Sequence, residues 1–278
     1  MEQFIKPYFK TLSVISPNLA AKSAFEMFKK VRKKEIRTRE KPFYEESISY
    51  KIPYKNEDID CYAFGNPTDN IVVLVHGWDS NVGSMYKFIQ PLLTQNKYII
   101  GFNLPGHAFY TGSKTHLFEA KESFKVFMQS LPKGRKIDVI SHSFGSAVTA
   151  FGLSEMDLKV NKLLFLTSPN RIEDIFIDYK NFIGLGEKAF INLKERAHHV
   201  LNEPLNVVNV ETRLNLVDFH HLYLLHDRLD KIIPYTNSVK INESINKSTL
   251  ISFHKLGHYK MLWNDELINK AMAILKEE

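Results

Sequence analysis

The chain predicts an α/β fold on a mostly parallel, doubly wound sheet, with helices on both faces. Three observations carry that expectation. Apolar strand signals recur near residues 71–76, 98–103, 136–141, 161–166, 220–226 and 249–254. Helical patterns alternate with them near 83–94, 115–130, 143–155, 236–244 and 263–276, and such alternation calls for parallel strands joined by crossover helices. The strand runs are continuously apolar, as in Ile71-Val72-Val73-Leu74-Val75, which suits strands buried on both faces.

Taken in chain order, residues 1–40 read as a helical N-terminal extension ahead of a domain over 41–278. Leu19, Ala20, Ala24, Met27, Phe28 and Val31 can share one helical face. The run from Lys29 to Arg39, which includes Lys33 and Lys34, concentrates positive charge at the end of that pattern. It reads as a docking helix whose basic end complements its own dipole. The second reading is a weak peripheral contact with anionic lipid through this basic helix. Ser47–Pro53 and Ile59–Phe64 alternate in the manner of an antiparallel edge hairpin.

The first parallel strand ends in His76-Gly77-Trp78. A glycine there lets the backbone turn sharply and approach a ligand. His76 is expected to hydrogen-bond the loop rather than transfer protons. The run Ile137-Asp138-Val139-Ile140 then leads into Ser141-His142-Ser143-Phe144-Gly145 and a helical pattern. This has the form of a nucleophile elbow, G-x-S-x-G, with Ser141 in place of the first glycine. The turn needs small residues two positions before and after Ser143, and the helix that follows aims free N–H groups at its oxygen. The Trp78 and Phe144 amides are the expected pair of donors for an oxyanion. His142 and Gly145 support the elbow.

Between the strand signals at Leu166 and His220 the chain is too long for a simple crossover, and a helical insertion over about 168–218 is expected. Leu222-Tyr223-Leu224-Leu225-His226 reads as a buried strand followed by two carboxylates, Asp227 and Asp230. Loops after parallel strands form the ligand-binding face of such sheets. Thr249–Phe253 leads to Gly257-His258, which places His258 in a strand-to-helix loop as a general base for Ser143. Such a base needs a carboxylate to hold its tautomer.

Composition narrows the options. With 44% hydrophobic and 24% charged residues the chain is ordinary for a globular protein. A single cysteine, Cys61, cannot form an intrachain disulfide and reads as a small core residue. The net charge is +6, yet no recognition motif or interleaved basic and aromatic pattern points to nucleic acid. His198-His199 and His220-His221 do not share a face, so neither a metal nor a cofactor is expected. Without a membrane-spanning run or a secretory apolar core, the expected location is cytoplasmic.

Four landmarks in order resemble the α/β-hydrolase superfamily: His76-Gly77-Trp78, Asn103-Leu104-Pro105-Gly106-His107, Ser141 through Gly145, and the pair Asp230 and His258. The resemblance covers about residues 45–278. With Pro17–Lys34 ahead of it, the chain is similar to a bacterial, serine esterase- or lipase-like subgroup that carries an HGW motif and an N-terminal helix. Asp230-Lys231-Ile232-Ile233-Pro234 matches the D-x-x-[VI]-P acid loop of the family, which favours Asp230 over Asp227. The resemblance implies a Ser143–His258–Asp230 triad, an acyl-enzyme on Ser143, and a small-molecule carboxylic ester or thioester as substrate. It also implies that the insertion is a helical cap. Three departures, Ser141, Asn103 for aspartate and Ala108 for glycine, keep a second reading open: a catalytically silent hydrolase fold used for binding or scaffolding.

Overall fold

The structure, a computed structural model, describes residues 2–32 and 35–276, and side chains from Phe4 onward. Its elements in order are α1 (Glu2–Ile15), α2 (Pro17–Phe28), α3 (Lys41–Glu46), β1 (Ile48–Ile52), β2 (Ile59–Phe64), β3 (Asn70–Val75), α4 (Ile89–Leu93), β4 (Lys97–Phe102), α5 (Leu117–Gln129), β5 (Ile137–His142), α6 (Phe144–Leu153), β6 (Val160–Leu166), α7 (Ile172–Ile183), α8 (Glu187–Leu201), α9 (Val210–Leu214), β7 (Phe219–Asp227), α10 (Thr236–Ser244), β8 (Ser248–Phe253) and α11 (Asp265–Lys276). Two compact units emerge: Met1–Lys30 with Arg171–Thr212, and Val31–Asn170 with Arg213–Glu278.

The second unit holds one eight-stranded sheet in the order β1-β2-β4-β3-β5-β6-β7-β8. From β4 to β8 all neighbours are parallel; β1 pairs antiparallel with β2, and β2 with β4. The hairpin therefore has an edge strand, β1, and an inner one, β2. That difference appears in burial: β1 is largely exposed and β2 largely buried. Alternation along β3 sends side chains to opposite faces. Val72 and Leu74 join a core with Met85, Phe88, Leu267, Ile268 and Met272. On the other side of the sheet Phe102 of β4 stacks on Phe127 of α5, ring centroids 4.3 Å apart.

The chain winds from β3 to β4 in one direction, then crosses to β5 and continues through β6, β7 and β8 in the other. That reversal makes a switch point between β3 and β5, where open sheets of this kind leave a crevice at the strand C-termini.

The first unit is a helical body in which the N-terminal helices and the insertion come together. Ser16 caps α2, accepting from the Leu19 amide, and Pro17 occupies the first helical turn. The helical N-terminal stretch is thus two helices broken at Ser16-Pro17. Buried Ala20, Ala21 and Ala24 leave room for α8, whose Ala189, Leu193 and Ala197 are buried. The Tyr179 hydroxyl donates to the Ala24 carbonyl at 2.9 Å, and the Gly186 amide donates to Ser13 Oγ at 3.0 Å.

Only the first residue of the basic run lies at a helix end. α2 stops at Phe28 with no basic residue in its last turn, and Lys29 is its C-cap. Beyond it, tertiary bonds replace helical ones: the Val31 amide donates to the Ser113 carbonyl, and the Arg32 amide to the Asp79 carboxylate. Arg37 lies beside the Glu40 carboxylate and Arg39 over the Trp263 ring. Lys33 and Lys34 lie outside the described residues. Among the described residues no helix is long and apolar enough to cross a membrane.

Phe127 is fully buried against Phe102. Phe127→Ala is expected to cost about 3–5 kcal/mol in urea unfolding, through lost burial and the cavity left behind. A cost below about 1 kcal/mol would contradict this packing.

Candidate active site

Ser143 sits between β5 and α6 with φ 52° and ψ −119°. That backbone region is costly for any residue with a Cβ. Its surroundings hold it there. The Ser143 amide donates to the Leu166 carbonyl at 2.8 Å, and its own carbonyl accepts from the Ser146 amide at 2.9 Å. A Cβ at Gly145 would stand 2.5 Å from the Val75 carbonyl oxygen and 2.6 Å from that of His76, so α6 meets the end of β3 only if residue 145 is glycine. A Cβ at Gly77 would stand 2.8 Å from His142 Nδ1 and 3.2 Å from Ser143 Cβ. The loop carrying Trp78 is therefore pressed directly against the elbow. The Trp78 ring meets the Phe144 ring edge-on at 5.0 Å. Phe144 opens α6, so its amide is one of those a helix leaves without an internal partner.

Ser141, in place of the first glycine, is fully buried, and its hydroxyl is 2.8 Å from Thr149 Oγ1 on α6. The extra polar atom thus has a partner one helix away. Asn103 Oδ1 accepts from the Val82 amide at 3.1 Å and from the Tyr44 hydroxyl at 3.4 Å. These are acceptor tasks that an aspartate would also perform. Ala108 takes φ 46°, the left-handed region that favours glycine.

The loops after β7 and β8 bring two more side chains to Ser143. His258 Nε2 is 2.9 Å from Ser143 Oγ, and His258 Nδ1 is 2.7 Å from Asp230 Oδ2. All three residues are buried. A carboxylate only accepts, so Nδ1 carries the proton and Nε2 is left to accept from the serine hydroxyl. Asp230 Oδ1 accepts from the Ile232 amide at 2.7 Å and the Ile233 amide at 3.0 Å. Burial alone would raise this carboxyl; the bond to His258 and the two amides outweigh it and hold Asp230 below its ordinary value.

Besides His107, whose Nδ1 donates to the Pro105 carbonyl at 2.9 Å, three further imidazoles are buried here and act on main chain. His76 Nδ1 donates to the Gly77 carbonyl at 2.8 Å, while its Nε2 accepts from the Leu104 amide at 2.9 Å. His142 Nε2 donates to the His258 carbonyl at 3.0 Å. His226 Nε2 donates to the Ile233 carbonyl at 3.0 Å, and its Nδ1 is 2.7 Å from Ser238 Oγ. Burial depresses all three, His142 to about 3 and His76 well below the ordinary value. Asp227 accepts from the amides of Leu229 and Gly257 and is not bonded to His258. Its two-carboxylate context in Asp227-Arg228-Leu229-Asp230 marked the loop, but local sequence carried no sign of its partners 30 residues away. Thr149, the partner of Ser141, was likewise not singled out. Among the described residues no group of histidine, cysteine and carboxylate side chains is arranged to hold a metal ion.

A family model described as alpha/beta hydrolase fold matches residues 70–183, the segment from β3 through the elbow to the end of α7. The chain has the α/β-hydrolase fold. Solved hydrolases superpose on it closely but with low identity. A membrane phospholipase A, described as a bacterial virulence factor, is 15% identical, with TM-score 0.63 over 99% of this chain and 98% of its own. The Pyrococcus furiosus esterase Pf2001 is 18% identical, with TM-score 0.63 over 89% of this chain and 96% of its own. The 2-hydroxy-6-oxo-6-phenylhexa-2,4-dienoate hydrolase of Rhodococcus sp. strain RHA1 is 16% identical, with TM-score 0.60 over 83% of this chain and 99% of its own. No curated protein matches the sequence.

The buried imidazoles of this α/β-hydrolase fold set an acid limit on stability. His76, His142 and His226 titrate lower folded than unfolded, where a free imidazole titrates near about 6.5. The unfolded chain therefore binds more protons below that pH. Their contribution is complete above it and is lost as pH falls toward the folded values, at up to about 1.4 kcal/mol per pH unit for each histidine. The urea midpoint is expected to fall steadily from roughly pH 7 to pH 5. A flat or rising profile would contradict neutral burial of these rings.

Proposed function

We propose that the chain is a serine hydrolase that cleaves a small carboxylic ester or thioester through an acyl-enzyme on Ser143. The observation that carries this reading is the unbroken hydrogen-bond path from Asp230 through His258 to Ser143 at a strained elbow. A serine hydroxyl is a weak nucleophile until a base takes its proton. His258 Nε2 accepts that proton as Oγ attacks the acyl carbonyl. Asp230 holds the ring in the required tautomer and stabilises the imidazolium that forms.

The Trp78 and Phe144 amides would then hold the oxyanion, each worth about 3 kcal/mol in the transition state. Collapse of the tetrahedral species expels the alcohol or thiol, which takes its proton from His258. Water then attacks the acyl carbon with His258 again as base; the bond to Ser143 Oγ breaks, Oγ takes the proton back from His258, and the acid leaves. A groove of about 370 Å³ beside His258, with Leu229, Ile232, Leu256 and Tyr259 in its wall along with Lys231, Lys255 and Lys260, would give room for part of a substrate. An esterase and a phospholipase among the structural neighbours favour an ester substrate. In this reading the substrate is a small acyl compound and the enzyme works in the cytoplasm.

Ser143→Ala and His258→Gln are each expected to lower kcat on 4-nitrophenyl butanoate by about 10⁴-fold or more, with Asp230→Asn close behind. Circular dichroism should stay unchanged. Activity of folded Ser143→Ala within tenfold of an active wild type would overturn the proposal, and a folded wild type without ester turnover would leave the silent-scaffold reading.

A further inference from the structure

Two buried side chains outside the proton relay grip the main chain around His258. Asp227 ends β7 with no exposed surface. Its Oδ1 accepts from the Leu229 amide at 3.0 Å and its Oδ2 from the Gly257 amide, and the backbone amides around it hold this carboxyl below its ordinary value. Lys255 and Gly257 both take φ 67°, so the loop turns tightly on either side of Leu256. Asp227 thus bonds the main chain of its own loop with one oxygen and the main chain of the histidine loop with the other. The residue after Gly257 is His258. On the other side, His142 Nε2 donates to the His258 carbonyl at 3.0 Å, and the two rings lie 4.9 Å apart. His142 immediately precedes Ser143, so this bond ties the base's backbone to the nucleophile's own strand.

We propose that Asp227 and His142 are positioning residues that clamp the His258 main chain from its two sides, so that the imidazole meets Ser143 and Asp230 in one fixed geometry. The inference rests on the serine-hydrolase reading for its kinetic consequence, though the clamp itself is a structural relation. Neither side chain exchanges the proton. A carboxylate at 227 can accept from both loops with both oxygens, whereas an asparagine must turn its NH₂ toward one set of N–H groups. Phenylalanine at 142 keeps a ring but lacks the donor. Glutamine at 142 keeps an N–H that can reach the same carbonyl.

The test combines kinetics with the Asp230–His258 hydrogen-bond proton, a strongly downfield signal in one-dimensional proton NMR that needs no substrate. Misplacing a catalytic group by about 1 Å costs on the order of 10²-fold. Asp227→Asn and His142→Phe are therefore expected to lower kcat on 4-nitrophenyl butanoate by about 10- to 100-fold, with KM within about threefold. The downfield signal should shift or broaden in both, and His142→Gln should restore most of the rate and the wild-type signal. If Asp227→Asn does not fold, His142→Phe and His142→Gln carry the same test from the other side of the loop. Unchanged kcat and an unchanged signal in folded variants would overturn the clamp, as would a lower rate with an unchanged signal. A wild type that shows the downfield proton, and shifts it in the variants, yet hydrolyses no ester would leave the clamp standing and refute the hydrolase reading.

Discussion

A residue at φ 52° and ψ −119° that is not glycine costs on the order of 1–3 kcal/mol, and the chain meets that cost at Ser143. The geometry of the site follows from it. A turn this tight leaves no room for a Cβ at Gly145, which lies against the Val75 and His76 carbonyls, or at Gly77, which lies against His142 and Ser143. It sends the main chain straight from a buried strand into α6, so the Phe144 amide starts the helix beside the serine hydroxyl. It lies at the end of β5 beside β3, the point where the winding of the sheet reverses. Ser141 is tolerated there because Thr149 supplies a partner for its hydroxyl.

Burying so many polar groups at one end of a sheet is stable only when each has a fixed counterpart. The four loops at this end exchange such bonds. His76 joins the end of β3 to the loop after β4, His226 holds the acid loop, and Asp227 joins the acid loop to the histidine loop. Neutral imidazoles suit these places, since each offers one donor and one acceptor without a buried charge. Asp230 is the exception among the groups touching His258. Its carboxylate is buried, and two backbone amides and the imidazole compensate it.

The parallel strands were legible because burial on both faces demands long apolar runs, and Ile71–Val75 or Leu222–Leu225 can be little else. The elbow was legible because its steric demands fall on residues two positions apart. Other features depend on partners far along the chain. The residues themselves left Asp227 and Asp230 as equal candidates, and only the family's acid-loop pattern separated them; their different tasks depend on which loop amides each one meets. The helix expected to run through Val31 ends at Phe28, because amides beyond it bond to Ser113 and Asp79 instead. α3 was absent from the expectation, its six residues Lys41–Glu46 being too few to show a period. That the N-terminal helices and residues 171–212 form one unit is a matter of tertiary contact, invisible to local pattern.

The central claim is that Ser143 is a nucleophile activated by His258. Intact-mass measurement after treatment with a fluorophosphonate, followed by peptide mapping, tests it most directly, because such reagents need an activated serine. The account predicts one adduct per chain, located on Ser143, lost in Ser143→Ala and formed far more slowly in His258→Gln. Folded wild-type protein that stays unlabelled, or that carries the adduct on another residue, would contradict it.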